Sequence, residues 1–193
     1  MPLDGANTFL TRIVRTFLDA GVDEIVIVVG HEAEAIARTF SASALPARVV
    51  VNREYDRGQL SSLQAGLRAI DRPDVEAALV TLVDVPLVSA TTVSAVLDCY
   101  RRTRAAVVRP TSGTRHGHPL LIDRAVFAEL FAADAEAGAK PIVRAHASPA
   151  GDLAIDDEGA FTDIDTMEVY GRVVLSGRWN VAGGNPAPSP EDP

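Results

Sequence analysis

The sequence predicts an α/β protein, with three α/β/α layers and a mostly parallel sheet, and three observations point there. Helical and strand periodicities alternate through the first half of the chain. The strand segments are continuous apolar runs, such as Glu24-Ile-Val-Ile-Val-Val29, which marks strands covered by helices on both faces. The run Ala77-Ala-Leu-Val-Thr-Leu-Val-Asp84-Val-Pro86 ends in a carboxylate, at the strand end where open α/β sheets bind their ligands.

Taken in order, Phe9, Leu10, Ile13, Val14, Phe17 and Leu18 make one apolar helix face, with Asn7 or Thr8 as cap and Gly21 just past the end. A buried strand over 24–29 closes at Gly30. A helix over 31–40, a strand over 48–51 and a polar loop over 52–58 follow. Gly58 and Ser61 or Ser62 then lead into a helix over 61–70, with a capping serine turning its N–H groups outward. The strand from Ala77 runs to Val83, and a helix spans 90–102. Further strands are expected at 105–108 and 119–122, separated by a loop over 111–116. Asp123 caps a helix to 132, and a second helix runs from the Gly138 turn to 146. Short strands or a hairpin over 153–155 and 161–164, turning at Asp157-Glu158-Gly159, precede a last helix opened by Thr166. The second half is less regular and is expected to add an antiparallel strand at one sheet edge. Residues 1–176 read as one domain, and 177–193, rich in Gly, Pro and Ser, as a loose tail.

Net charge is −8, from 26 acids against 18 bases, without a basic run, which argues against nucleic acid as partner. No apolar run approaches the ~20 residues of a membrane helix, and no signal peptide is visible, so a soluble protein is expected. The single Cys99, on the buried side of a helix, forms no internal disulfide and fits a reducing cytoplasm. Lys140 is the only lysine.

The candidate chemistry gathers at loops. Asp84 suits Mg²⁺ as a hard oxygen ligand, though an aspartate after a strand reads equally as a turn residue. Asp163 and Asp165 alternate at strand spacing, so one faces the sheet rim while the other faces away or caps the helix at Thr166. Asp165 is preferred over Asp163 as the second metal ligand. Asn52, Gly58, Ser61 and Ser62 form a strand-to-helix loop that suits a phosphate or a base edge, or is an ordinary capped helix. His118, between Gly117 and Pro119, faces substrate or is packed and hydrogen-bonded. His31, His116 and His146 read as surface residues.

Asn52-x-x-Tyr55-x-x-Gly58-x-x-Ser61-Ser62-Leu63, Asp84-Val-Pro86, Gly117-His118-Pro119 and Asp163-Ile-Asp165-Thr166, in this order over residues 2–172, resemble the MobA-like NTP transferases. Within them the pattern is most similar to the molybdenum cofactor cytidylyltransferases. The resemblance implies a Rossmann-like nucleotidyltransferase fold and a cytoplasmic enzyme. It implies transfer of CMP from CTP to a phosphorylated acceptor, the molybdopterin cofactor, with Mg²⁺ present and pyrophosphate released. Carried over by motif, Asp84 is the main metal ligand and the Asp163/Asp165 pair supplies the second. Asn52, Gly58, Ser61 and Ser62 lie along the nucleotide, and Gly117 and His118 shape the acceptor side.

The family's opening strand and glycine-rich loop, Leu-Ala-Ala-Gly-x-Ser-x-Arg-Met-Gly followed by a lysine, have no counterpart in these 193 residues. Losing that phosphate cradle is expected to leave two inner sheet edges unpaired and to lower the transfer rate ~10³-fold or more. The alternative to an enzyme is therefore a catalytically impaired relative that binds a nucleotide or cofactor, or docks on a molybdoenzyme.

Overall fold

A computed structural model describes residues 2–4 and 7–175, so the expected tail over 177–193 lies outside the described residues. After the short strands β1 (Pro2–Asp4) and β2 (Asn7–Thr8) comes helix α1 (Phe9–Asp19). Its ends are made as the sequence expects. The Thr8 hydroxyl accepts from Thr11 N at 3.1 Å while Thr8 N donates to Thr11 Oγ1 at 2.8 Å, a reciprocal cap. At the other end Gly21 (φ +78°) lets Gly21 N reach Leu18 O and Val22 N reach Phe17 O, satisfying two end carbonyls.

Strand β3 (Val26–Val29), helix α2 (Ala33–Ser41), strand β4 (Arg48–Val51) and helix α3 (Gln59–Ile70) follow. β3 and β4 pair in parallel, Val26 opposite Arg48 through Val29 opposite Val51. Then come β5 (Ala77–Val80), α4 (Ala90–Thr103), β6 (Val107–Ser112), β7 (Arg115–His116), β8 (Leu120–Asp123), α5 (Phe127–Ala132), α6 (Lys140–His146), β9 (Asp152–Ala154) and α7 (Met167–Leu175). The described residues up to Asp163 form one compact unit, and those from Ile164 onward belong to a second. Among the described residues no helix is long and apolar enough to cross a membrane.

The second half of the chain departs from expectation in three respects. β8 lies between β5 and β6 and runs antiparallel to both, so the antiparallel strand is interior and not at an edge. β9 adds to β6 in parallel. The expected loop over 111–116 is instead a β6–β7 hairpin, made possible by left-handed Gly113 (φ +60°). The expected hairpin partner over 161–164 is not a strand. Asp157 Oδ1 accepts from Gly159 N at 3.0 Å, and this local bond starts a 3₁₀ turn over Glu158–Phe161.

Among the described residues β3 pairs with β4 alone and β5 with β8 alone. Helix α1 joins the two sheets through its apolar side chains. Val14 packs with Ile27, Val29 and Phe40, while Ile13 and Phe17 pack with Val88, Val93, Ala160 and Leu79 of β5. Burying these groups is the main favourable term, at about 1.5–3 kcal/mol per large apolar side chain.

Candidate nucleotide and metal site

Strand β5 ends at Val80, three residues short of the expected end at Val83. The apolar pattern continues because the following loop is itself partly core: Val85 and Val88 are fully buried, whereas Val83 is 57% exposed. Apolar continuity reports burial, and a strand is only one way to be buried. Asp84 therefore sits in a turn beyond the strand. Its Oδ1 is buried and, among the described residues, has no hydrogen-bond partner; the same holds for Thr81 Oγ1. An unpaired buried carboxylate oxygen is costly, and a bound cation is one way to satisfy it. A divalent ion fits this atom on chemical grounds. Among the described residues no three His, Cys, Asp or Glu side chains converge to cage a metal.

The loop carrying Asp84 is pinned from several sides. Arg12 Nε of α1 donates to Pro86 O at 2.8 Å, and burial lowers the guanidinium pKa. Ser89 caps α4, accepting from Thr92 N at 3.1 Å. Asp157 Oδ2 accepts from Ser89 N at 3.0 Å, Ser89 Oγ at 2.9 Å and Thr92 Oγ1 at 2.6 Å. Burial raises the Asp157 pKa, but these bonds together with that from Gly159 N outweigh it and hold the carboxyl below its ordinary value. The sequence shows Asp157 only as a turn residue; its partners Thr92 and Ser89, in α4 and at its cap, lie 65 and 68 positions away. Thr81 carries no sequence signal beyond its place in the apolar run.

Gly117 and His118 reach the same strand end. His118 Nδ1 lies 3.4 Å from Val80 O, and His118 N donates to Ala160 O at 2.8 Å. The His118 ring is thus half-buried beside the β5 end, within hydrogen-bond range of one backbone carbonyl. Gly117 has to be glycine, because a Cβ there would run into Ala160 O and the Phe161 ring.

The second polar cluster lies after β4. Asn52 is 6% exposed, and its amide is fully used within the protein. Nδ2 donates to Ser61 Oγ at 2.8 Å and Ser62 Oγ at 3.0 Å, and Oδ1 accepts from Glu54 N at 3.0 Å. The Ser61 hydroxyl is shared between Glu54 O and Gly58 O, each at 2.8 Å. The sequence expects a serine cap on α3, but Gly58 (φ +94°, ψ −178°) occupies that position and no side chain caps the helix. Both serines face Asn52 instead. Asn52, Gly58, Ser61 and Ser62 are thus brought together, and the first-turn N–H groups of α3 have no side-chain acceptor.

Asp163 and Asp165 are exposed. Neither caps α7: Thr166 does so itself, its Oγ1 accepting from Val169 N at 3.2 Å. Cys99 is buried as expected, His31 lies edge-on to Tyr55, and His146 pairs with Glu129 at 2.9 Å.

The model of the MobA-like NTP transferase domain matches residues 1–150. Nicotine blue oxidoreductase from Paenarthrobacter nicotinovorans is 32% identical over 176 residues, covering 87% of this chain and 83% of that protein. The crystal structure of Rv0371c from Mycobacterium tuberculosis H37Rv superposes with a TM-score of 0.71 at 27% identity, covering 91% of this chain and 87% of that one. The manganese complex of Rv0371c gives a TM-score of 0.69 at 25% identity, covering 88% and 87%. Molybdopterin-guanine dinucleotide biosynthesis protein A from Archaeoglobus fulgidus shares the fold, with a TM-score of 0.62 at 13% identity and coverage of 87% and 85%.

Proposed function

The chain belongs to the MobA-like NTP transferase family, and from that premise we propose that it moves a nucleotidyl group, CMP from CTP, onto a phosphorylated acceptor of the molybdopterin type. The single observation that carries this reading is Asp84 Oδ1, buried with no partner among the described residues in a loop held on several sides. Asp84 would hold Mg²⁺, or Mn²⁺ as in the Rv0371c complex, and such an ion supplies charge stabilisation at the transferring phosphorus. This chain's own residues bind and orient. The uncapped first turn of α3 offers N–H groups suited to an anionic or base-edge group, and Asn52 fixes that turn through Ser61 and Ser62. Gly117 and His118 shape the wall next to Val80.

The test follows pyrophosphate release from CTP and, in parallel, GTP, with Mg²⁺ and a molybdopterin-type acceptor. Release with CTP that Asp84→Asn lowers roughly 10²–10³-fold is the expected result. Release untouched by Asp84→Asn overturns the metal assignment, and release with GTP alone overturns the base assignment. Asp165→Asn and Asp163→Asn in the same assay decide which of the two contributes.

A second reading is favoured by one observation: the relative matching most of this chain at 32% identity bears the name of an oxidoreductase. On that reading the site binds a nucleotide or redox cofactor without transferring a nucleotidyl group. Hydride transfer from a reduced nicotinamide dinucleotide to an added quinone-type acceptor, catalysed by this chain with no pyrophosphate released from any nucleoside triphosphate, would select it.

A further inference from the structure

We propose that Asp157 is the positioning residue that locks the Asp84-bearing loop to the Gly117–His118 segment. The inference rests on the reading of Asp84 as a metal ligand. One carboxylate group serves both sides of the junction. Its Oδ2 receives Ser89 N, Ser89 Oγ and Thr92 Oγ1, which closes the loop over 81–89 where it enters α4. Its Oδ1 receives Gly159 N and starts the 3₁₀ turn over Glu158–Phe161. That turn faces both partners. Gly159 approaches Leu87 O so closely that a Cβ there would clash with it, and Ala160 O accepts from His118 N at 2.8 Å.

The physical consequence is that the metal-side loop and the acceptor-side segment share one anchor. Four donors on one carboxylate group are charge-assisted and directional, so the anchor is stiffer than an apolar contact of the same size. Loss of the charge frees the Ser89 end of the loop and, through Ala160, the His118 backbone. Asp157→Asn places an amide N–H₂ where Oδ2 receives three donors, or else withdraws the acceptor of Gly159 N.

The test measures Mn²⁺ affinity by electron paramagnetic resonance on the full chain, with amide exchange at Ser89 and His118. Asp123→Asn is the control, since Asp123 also accepts two bonds, from Tyr100 Oη at 2.6 Å and Ala125 N at 2.8 Å, away from this loop. Asp157→Asn is expected to weaken Mn²⁺ about tenfold, the lower end for groups supporting a ligand. It should speed exchange at both amides, while Asp123→Asn does neither at a comparable loss of Tm. In an Asp84→Asn background the effect of Asp157→Asn on Mn²⁺ should vanish. Thr92→Val, which removes one donor with little change of shape, should act in the same direction more weakly and serves if Asp157→Asn fails to fold. Wild-type Mn²⁺ binding that Asp157→Asn leaves unchanged overturns the inference, as does unchanged exchange at His118. If the wild-type chain binds no Mn²⁺, the metal reading of Asp84 fails, and the exchange at Ser89 and His118 still decides whether Asp157 couples the two segments.

Discussion

Two polar clusters of this chain are built in opposite ways. Around Asn52 each side-chain donor and acceptor of the amide meets a partner, and the cluster is closed upon itself. In the loop after β5 the reverse holds: among the described residues Thr81 Oγ1 and Asp84 Oδ1 are buried without partners, although the backbone around them is clamped. A satisfied buried network contributes stability and a unique local structure, whereas an unsatisfied buried group costs stability and calls for a ligand. On the proposed reading the first cluster holds the α3 turn in place through its own bonds, and the second is where a metal is to be sought. A folded protein tolerates such a cost where the group has something to bind.

This contrast breaks if substitutions in the two clusters act alike. The largest effect is expected at Asp84: Asp84→Asn should lower nucleotidyl transfer roughly 10²–10³-fold, the scale of losing one electrostatic stabiliser, and leave thermal stability unchanged or slightly higher. Asn52→Ala should do the opposite. Leaving Glu54 N and two serine hydroxyls without their partner is expected to cost about 2 kcal/mol in urea unfolding, with metal binding retained. Gly58→Ala meets no atom within 4 Å, so its cost is backbone strain alone, about 1–3 kcal/mol by the same measurement.

Smaller and more diagnostic is the pH dependence contributed by Asp157, whose carboxyl is held below its ordinary value. In the window between its folded and unfolded pKa values the unfolded chain binds more protons, so stability there rises with pH. The contribution is complete above the ordinary aspartate pKa and is lost as pH falls through the depressed one. Melting curves of wild type and Asp157→Ala should converge on acidification and separate on return to neutrality. Parallel curves would remove Asp157 as the source. The smallest effect is expected at Thr81: Thr81→Val removes an unpaired hydroxyl without losing a bond, so stability should change by less than about 1 kcal/mol, toward greater stability.

Much of this was legible in the sequence, and the failures have a common cause. Helix α1 was readable at both ends because its signals, Thr8 and Gly21, act within a few residues. Asp84 was readable as an acid following an apolar run. The end of β5 was placed too late because Val85 and Val88 are core residues of a loop, and burial alone carries no strand signature. The interior position of β8 depends on pairing Ala78 with Ile122 and Val108 with Leu121, a choice that no local pattern encodes. The serines at 61 and 62 looked like caps because capping is local, but Asn52 competes for both hydroxyls from across the loop. Asp157 looked like a turn residue, which it is, and its four-donor role appears only once α4 is folded beside it.

The most direct measurement is a Mn²⁺ titration by electron paramagnetic resonance in the presence of CTP, run on wild type, Asp84→Asn and Asn52→Ala. Saturable binding that weakens about tenfold or more in Asp84→Asn and persists in Asn52→Ala is the result expected of a carboxylate kept unpaired for an ion. Superimposable curves for wild type and Asp84→Asn would contradict it.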